Sequence, residues 1–224
     1  ALMVEKGDAD ALICGTVGLY DWHLKHVNDV IGRKQGARVM AALSVLILNR
    51  GTFFLTDTYV NATPTASDLA DITDLAAEEV RRFGLAPKIA LLSHSSFGSH
   101  NDASAVKMRE ALQAITARYP NLEVEGEMHA DAAISPEIRS RIFPNSRLNG
   151  SANLLVMPDR DSANVSFNLL KVLGDGLTVG PVLLGTAKPA HILTPSVTVR
   201  GIVNMSALAV IDAQMHSPGV AQER

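Results

Sequence analysis

The sequence predicts an α/β protein built on layered, mostly parallel sheets, and three observations carry that prediction. Short apolar runs alternate with longer segments whose apolar residues recur every three or four positions. Clusters of glycine, proline and asparagine punctuate the alternation. Hydrophobic residues make up 47% of 224 positions, enough for a large buried core. Strands that alternate with helices need crossovers, and crossovers lay helices on the faces of a parallel sheet.

The elements follow in order. Ala9 to Cys14 reads as a strand, Gly15 to Gly18 as a turn, and Asp21 to Ile31 as a helix with Leu24, Val27 and Ile31 on one face. Val39 to Leu48 and Thr52 to Thr56 flank Asn49-Arg50-Gly51, a hairpin signal that makes these two strands antiparallel. Asn61 to Thr65 is a loop whose threonines, with Ser67, are N-cap candidates. The next helix carries Leu69, Ile72, Leu75, Ala76, Val80 and Phe83 and stops at Gly84.

A boundary is expected near Pro87, because regular strand–helix units follow it. Lys88 to Ser93 is a strand, Ser95 to Asn101 a polar loop, and Ala103 to Tyr119 a helix with Val106, Leu112 and Ile115 inward. Leu122 to Glu127 is a strand, followed by a short helix near Pro136 to Ile142. Ala152 to Met157 and Thr178 to Leu184 are strands around the helix Ser162 to Leu173. Val197 to Ala213 is a strongly apolar helix; its Val197, Ile202, Met205, Leu208 and Ile211 suit either the core or a subunit interface. The tail after His216 is expected to be loose.

Composition narrows the function classes. A net charge of −3 with no Lys/Arg run offers no field for nucleic acid. The single cysteine, Cys14, excludes an intrachain disulfide and a zinc-finger framework. The longest apolar stretch, Val39 to Leu48, is too short to span a bilayer, and the first residues lack the order of a secretory signal. A cytoplasmic protein is expected. The chain opens on Ala and runs straight into a strand, which suggests a piece of something longer.

Ligands of open α/β sheets bind beyond the carboxyl ends of the strands. That rule selects residues 56–64, 93–101, 157–161 and 185–196. Ser93-His94-Ser95-Ser96-Phe97-Gly98-Ser99 leaves a strand and opens a helix, so free N–H groups and small hydroxyls suit either a phosphate or the helix's own cap. It is not a Walker A loop, since no Gly-Lys-Ser/Thr follows. Lys188 is either an anion ligand or a solvated lysine on a turn. Asn204 interrupts an apolar helix and either meets a ligand or bonds a neighbouring loop. Glu125, Glu127, His129 and Asp131 cluster, but no second His- or Cys-rich segment completes a metal site. His23 and His26 share a helix face without a third ligand. From the residues alone, the reading stops at an α/β domain with a phosphate-bearing ligand.

Several motifs carry a resemblance beyond that point. Thr56-Asp57-Thr58-Tyr59-Val60-Asn61, Pro64-Thr65-Ala66, Leu91 to Ser99, Glu125-Gly126-Glu127 with Asp131-Ala132-Ala133, Ala152 to Asp159, and Gly180 to Gly185 stand in collinear order. Over Ala9 to Gln214 the chain resembles the phosphotransacetylase family. Ser93 to Ser99, Gly126-Glu127-Met128-His129 and His191-Ile192-Leu193-Thr194-Pro195 resemble the C-terminal region of hybrid malic enzymes. The resemblance implies an isocitrate/isopropylmalate dehydrogenase-like fold with two α/β lobes and a cleft between them. It implies residues 1–86 plus 186–224 as part of a first lobe lacking its opening strands, and 87–185 as the second lobe.

The resemblance also implies what has changed. Active members carry Ser and Arg before the last helix and an Asp a few residues on; here those positions hold Thr194, Pro195 and Gly201. An uncharged ring cannot replace a bidentate guanidinium, and Gly201 has no side chain to act as base. An arginine of the first lobe falls near Lys25. The implied function is a regulatory domain that binds acetyl-CoA through Ser95, Ser96, Gly98, Ser99, Lys188, Thr194, Ser196 and Asn204, with no catalytic residue and no metal of its own. The implied partners are a malic enzyme half in the same polypeptide, which would hold NADP and a divalent metal, and further copies in a dimer or higher oligomer. The alternative is an active phosphate acetyltransferase that acts on acetyl phosphate and CoA.

Overall fold

The computed structural model describes residues 1–216. The chain runs α1 (Leu2–Lys6), β1 (Leu12–Gly15), α2 (Tyr20–Val30), β2 (Ala41–Leu48), β3 (Gly51–Thr56), α3 (Ala66–Arg82), β4 (Ile89–Leu92) and α4 (Ala103–Arg118). It continues through β5 (Val124–Met128), α5 (Ala130–Ile134), α6 (Pro136–Ile142), β6 (Leu154–Val156), α7 (Arg160–Leu173), β7 (Leu177–Leu184), β8 (Ala190–Leu193) and α8 (Val199–His216). The tail expected to be loose, 217–224, lies outside the described residues.

Six strands form one sheet in the order β5-β4-β6-β3-β2-β7. The pairs β3–β6, β4–β6 and β4–β5 are parallel, whereas β2 runs antiparallel to both β3 and β7. The Asn49-Arg50-Gly51 hairpin forms as expected, with Ser44 opposite Leu55 and Leu48 opposite Gly51. Strands β3, β4, β5 and β6 therefore point the same way, and their carboxyl ends open along one rim. β1 and β8 form a separate parallel pair. Gly15 makes that pair possible: at φ +101 a Cβ would sit 2.1 Å from the Leu193 carbonyl oxygen.

Strands on both sides of the boundary expected near Pro87 pair in this sheet. β2 and β3 hydrogen-bond into the same sheet as the strands of 89–184, so residues 41–56 share one sheet with the 87–185 region. The hairpin was read as closing one unit because its antiparallel signal differs from the units that follow. Both hairpin strands are interior to the sheet, with β6 beyond β3 and β7 beyond β2.

Helices cover both faces of the large sheet, and strand alternation decides which residue serves which face. Ile89 and Leu91 of β4 pack with Leu69, Ile72, Ala76 and Val80 of α3 and with Met108 and Ile115 of α4. Ala90 and Leu92 face the opposite layer, with Ala132, Ala133, Ala163 and Phe167. Thr65 starts α3 with a capping box, its side chain accepting from the Asp68 N–H while Asp68 accepts from the Thr65 N–H.

Two helix faces differ from expectation. α4 turns Ala105, Met108, Ala111 and Ile115 inward, and Val106 stays only half-buried. Small alanines set the phase there, so the bulkiest residues misplace it. In α8, Met205, Leu208 and Ala209 face inward, while Ile202 and Ile211 are 40% and 49% exposed. Strand β8 lies inside the 185–196 segment that the carboxyl-end rule selects, where the sequence reading assigns no strand. Helices α1 and α5, each five residues, carry too little periodicity to register.

Candidate functional site

The turn that leaves β3 is held by one buried carboxylate. Asp57 Oδ1 accepts from the backbone N–H groups of Ala42, Tyr59 and Val60 at 3.0, 3.1 and 3.0 Å. Its Oδ2 accepts from the Asn61 N–H at 2.8 Å and from Asn61 Nδ2 at 2.6 Å. Burial pushes this carboxyl up even against those donors. The result is a stiff 57–61 turn at the rim where the fold predicts a ligand.

Cavities lie on both sides of that turn. The first, about 410 Å³, is lined by Leu19, Tyr20, Thr58, Tyr59, Arg160 and Asn164 among others. Tyr20 stacks on Tyr59 with ring centroids 4.9 Å apart, and Asn164 Nδ2 donates to the Thr58 carbonyl at 3.2 Å. Arg160 lies 3.9 Å from Asp21. The second cavity, about 420 Å³, has an apolar floor of Leu24, Val39, Met40 and Val60 under Lys25, Arg33 and Arg38. Both share Asp21 of α2. An aromatic and amide-lined hollow beside a basic one suits a ligand with an apolar or amide-bearing part and an anionic part.

The Ser93–Ser99 loop has a different occupant from the one expected. Its donors converge on a carboxylate of the chain itself. Glu127 Oε1 accepts from Ser95 Oγ at 2.6 Å, from the Gly98 N–H at 3.0 Å and from Arg109 Nη1 at 2.9 Å. Burial alone would raise this carboxyl, but those bonds outweigh it and hold it below the usual carboxylate range. Ser95 is fully buried, and its Oγ also accepts from the His100 N–H. Ser99 Oγ accepts from the Ser96 N–H. The loop has anion-cradling chemistry, and Glu127 takes its centre.

The expected binding residues do not converge on one point. Ser95, Ser96, Gly98 and Ser99 cluster beyond β4. Lys188 precedes β8 and donates to the carbonyls of Val4 and Glu5 at the end of α1. Thr194 and Ser196 follow β8, at the opposite end of that strand from Lys188, and their hydroxyls pair at 3.2 Å. The backbone beside them, Leu193, accepts from the Thr16 N–H, so this pair adjoins the 16–19 turn that leads to Leu19 and Tyr20 of the first cavity. Asn204 is half-buried on α8. Lys25 lines the second cavity and pairs with Asp29. Sequence reasoning missed Tyr20, Tyr59, Arg160 and Asn164. Arg160 does stand in the 157–161 segment selected by the carboxyl-end rule. Tyr59 likewise stands in the selected 56–64 segment, and nothing in the pattern marks Tyr20 or Asn164.

Among the described residues, no group of three or more His, Cys, Asp or Glu is placed to hold a metal ion. Glu125, one of the expected cluster, instead accepts from the Arg147 N–H at 2.8 Å. No helix among the described residues is long and apolar enough to cross a membrane.

The family model described as phosphate acetyl/butaryl transferase matches residues 1–210. A NAD-dependent malic enzyme of Rhizobium meliloti is 54% identical over 95% of the chain, and an NADP-dependent malic enzyme of Escherichia coli is 54% identical over 96%. The chain spans 28% of the length of each of these two relatives. A phosphotransacetylase from Streptococcus pyogenes superposes with a TM-score of 0.87 at 30% identity, over 95% of this chain and 64% of that one.

Proposed function

Because the chain belongs to the phosphate acetyl/butaryl transferase family, we propose that it is a regulatory, acetyl-CoA-binding module without acyl-transfer chemistry, attached to a malic enzyme catalytic half. The observation that carries this reading is the segment joining β8 to α8. Thr194 and Ser196 offer hydroxyls bonded to each other, Pro195 offers no charge, and Gly201 on the first turn of α8 offers no side chain. Arg200 is exposed and makes no ion pair among the described residues. A transferring phosphoryl group would meet no guanidinium in this segment's 194–199 stretch and no carboxylate at 201 to assist thiol attack.

The two cavities along the 57–61 turn support the binding half of the reading. Tyr20, Tyr59 and Asn164 suit a pantetheine-like chain with its amides, and Lys25, Arg33 and Arg38 suit the phosphates of a nucleotide. The 28% coverage of malic enzyme relatives supports attachment to a larger polypeptide. Those relatives carry both coenzyme names, so the coenzyme of the partner half is NAD or NADP. Acetyl-CoA that prefers one conformation of the whole enzyme would lower malate turnover by shifting the population.

One observation favours the second reading, an active phosphate acetyltransferase: Arg160 places a cation in the first cavity. Two measurements separate the readings. Calorimetry is expected to show acetyl-CoA binding, and no heat at millimolar ligand would end the regulatory proposal. A thiol-release assay with acetyl phosphate and CoA is expected to stay at background; robust turnover that Arg160→Ala abolishes would establish the second reading instead.

A further inference from the structure

Away from the cleft, a buried charge cluster joins three elements. Asp212 of α8 accepts from His191 Nε2 of β8 at 3.0 Å and from Arg82 Nη1 of α3 at 3.3 Å. The Leu183 N–H donates to His191 Nδ1 at 3.4 Å, so Nδ1 is the acceptor and Nε2 carries the proton given to Asp212. Arg82 Nη1 also meets Glu79 Oε2 at 3.2 Å, and Arg82 Nη2 meets Glu78 Oε1 at 3.3 Å. Glu78 in turn pairs with Lys34 at 3.2 Å. One guanidinium thus serves three carboxylates.

Glu79 is the member under most stress. It is 3% exposed, and its Oε1 is buried with no hydrogen-bond partner among the described residues. A small cavity of about 40 Å³, lined by Glu78, Glu79, Arg82, Gly185, Thr186 and Asp212 among others, adjoins it, with room for water. An ionised Glu79 would stand unsolvated beside Asp212 and compete with it for Arg82. A protonated Glu79 leaves Arg82 to Asp212, and Asp212 to His191.

We propose that Glu79 is the proton-operated element of a latch that fixes α8, through Arg82, Asp212 and His191, against α3 and β8: protonated, it holds the latch closed, and ionised, it loosens it. The latch bears on the 194–198 segment because β8 ends just before it and α8 begins just after it. Among the described residues, the groups that bear on Glu79 are Glu78 and Arg82 on its own helix, Asp212 on α8, His191 on β8 and Lys34 before β2. Burial first, and then the Asp212 charge, push the Glu79 carboxyl up to about 7, which places the switch near neutral pH.

The sign follows from linkage. A carboxyl whose closed-state value is raised keeps its proton in the closed form and loses it in the open form across the interval between the two values. Opening of α8 therefore grows with pH from about 4.5 to about 7, by up to about tenfold per pH unit, and levels off above.

Hydrogen exchange of the α8 amides over 202–212, corrected for intrinsic rates, reads that opening constant between pH 5 and 9. The expected result is a rise with pH that flattens near 7 in the wild type and is absent in Glu79→Gln, whose neutral amide mimics the closed form. Asp212→Asn removes the repelling charge and is expected to shift the flattening point to lower pH. If the glutamine variant does not fold, the carbonyl carbon shift of Glu79 in wild-type protein takes its place, with a titration midpoint near 7 expected. A wild-type opening constant independent of pH, a Glu79→Gln variant that keeps the slope, or a Glu79 midpoint below 5 would overturn the proposal.

Discussion

Replacing Arg109 with alanine tests whether the Ser93–Ser99 loop is held by the chain's own carboxylate. Glu127 is buried, and its Oε1 takes three donors, of which Arg109 at 2.9 Å is the only charged one. Removing one partner of a buried ion pair costs ~3–5 kcal/mol, because the other charge is left uncompensated. The Arg109 side chain is 26% exposed, so water screens part of that, and ~2–3 kcal/mol is the expected loss. Glu127→Gln keeps an acceptor in place and removes the charge, for ~1–2 kcal/mol. Since both changes strike one network, Arg109→Ala with Glu127→Gln should cost less than the sum by ~1–2 kcal/mol. Urea unfolding followed by circular dichroism at pH 7 measures all three. The carboxyl is held below the usual range, so the pair contributes fully above about pH 4.5, the ordinary value, and loses its contribution as pH falls through the folded-state value. The difference between wild type and Arg109→Ala should shrink in acid. An Arg109→Ala loss under ~0.5 kcal/mol, or strict additivity in the cycle, would refute the reasoning.

Two further outcomes follow from the site and the small sheet. Lys188→Met should leave acetyl-CoA affinity within about twofold, because Lys188 caps α1 and lines neither cavity along the 57–61 turn; a loss of about tenfold, 1.4 kcal/mol, in calorimetry would return it to the site. Gly15→Ala drives a Cβ into the Leu193 carbonyl and should separate β1 from β8. Its expected cost is ~3 kcal/mol or more, a fall of roughly 10 °C in Tm by thermal scan, and an unchanged Tm would contradict the register described.

The sequence was most legible where one local rule acted alone. The β2–β3 hairpin, the Thr65 start of α3 and the Pro136 start of α6 each rest on a few adjacent residues, and each forms where expected. It was least legible where partners are distant. That β7 pairs with β2, and so binds residues 41–56 into the large sheet, is written in no local pattern. The site divided the same way. The carboxyl-end rule found the 56–64 and 93–101 segments, but only the fold reveals that Glu127 fills the second and that the cavities flank the first. Tyr20, Tyr59 and Asn164 come together from three elements, and tyrosine or asparagine in isolation carries no signal of that meeting. Lys188 is ambiguous in the sequence because a lysine after a glycine turn looks the same whether it meets a ligand or a helix end.

The pairing of β1 with β8 has a consequence for how the chain is made. Leu12 aligns with Ala190 and Gly15 with Leu193, so β1 must wait for a strand far along the chain before this pair forms. The large sheet can assemble from nearer neighbours as the chain emerges, whereas the small pair closes only after synthesis has passed its final strand. Such distant contacts slow folding, since the loop they close must be ordered before they return anything. Until then β1 lacks the β8 partner, and its edge is open to capture by a chaperone or by the same strand of another nascent chain.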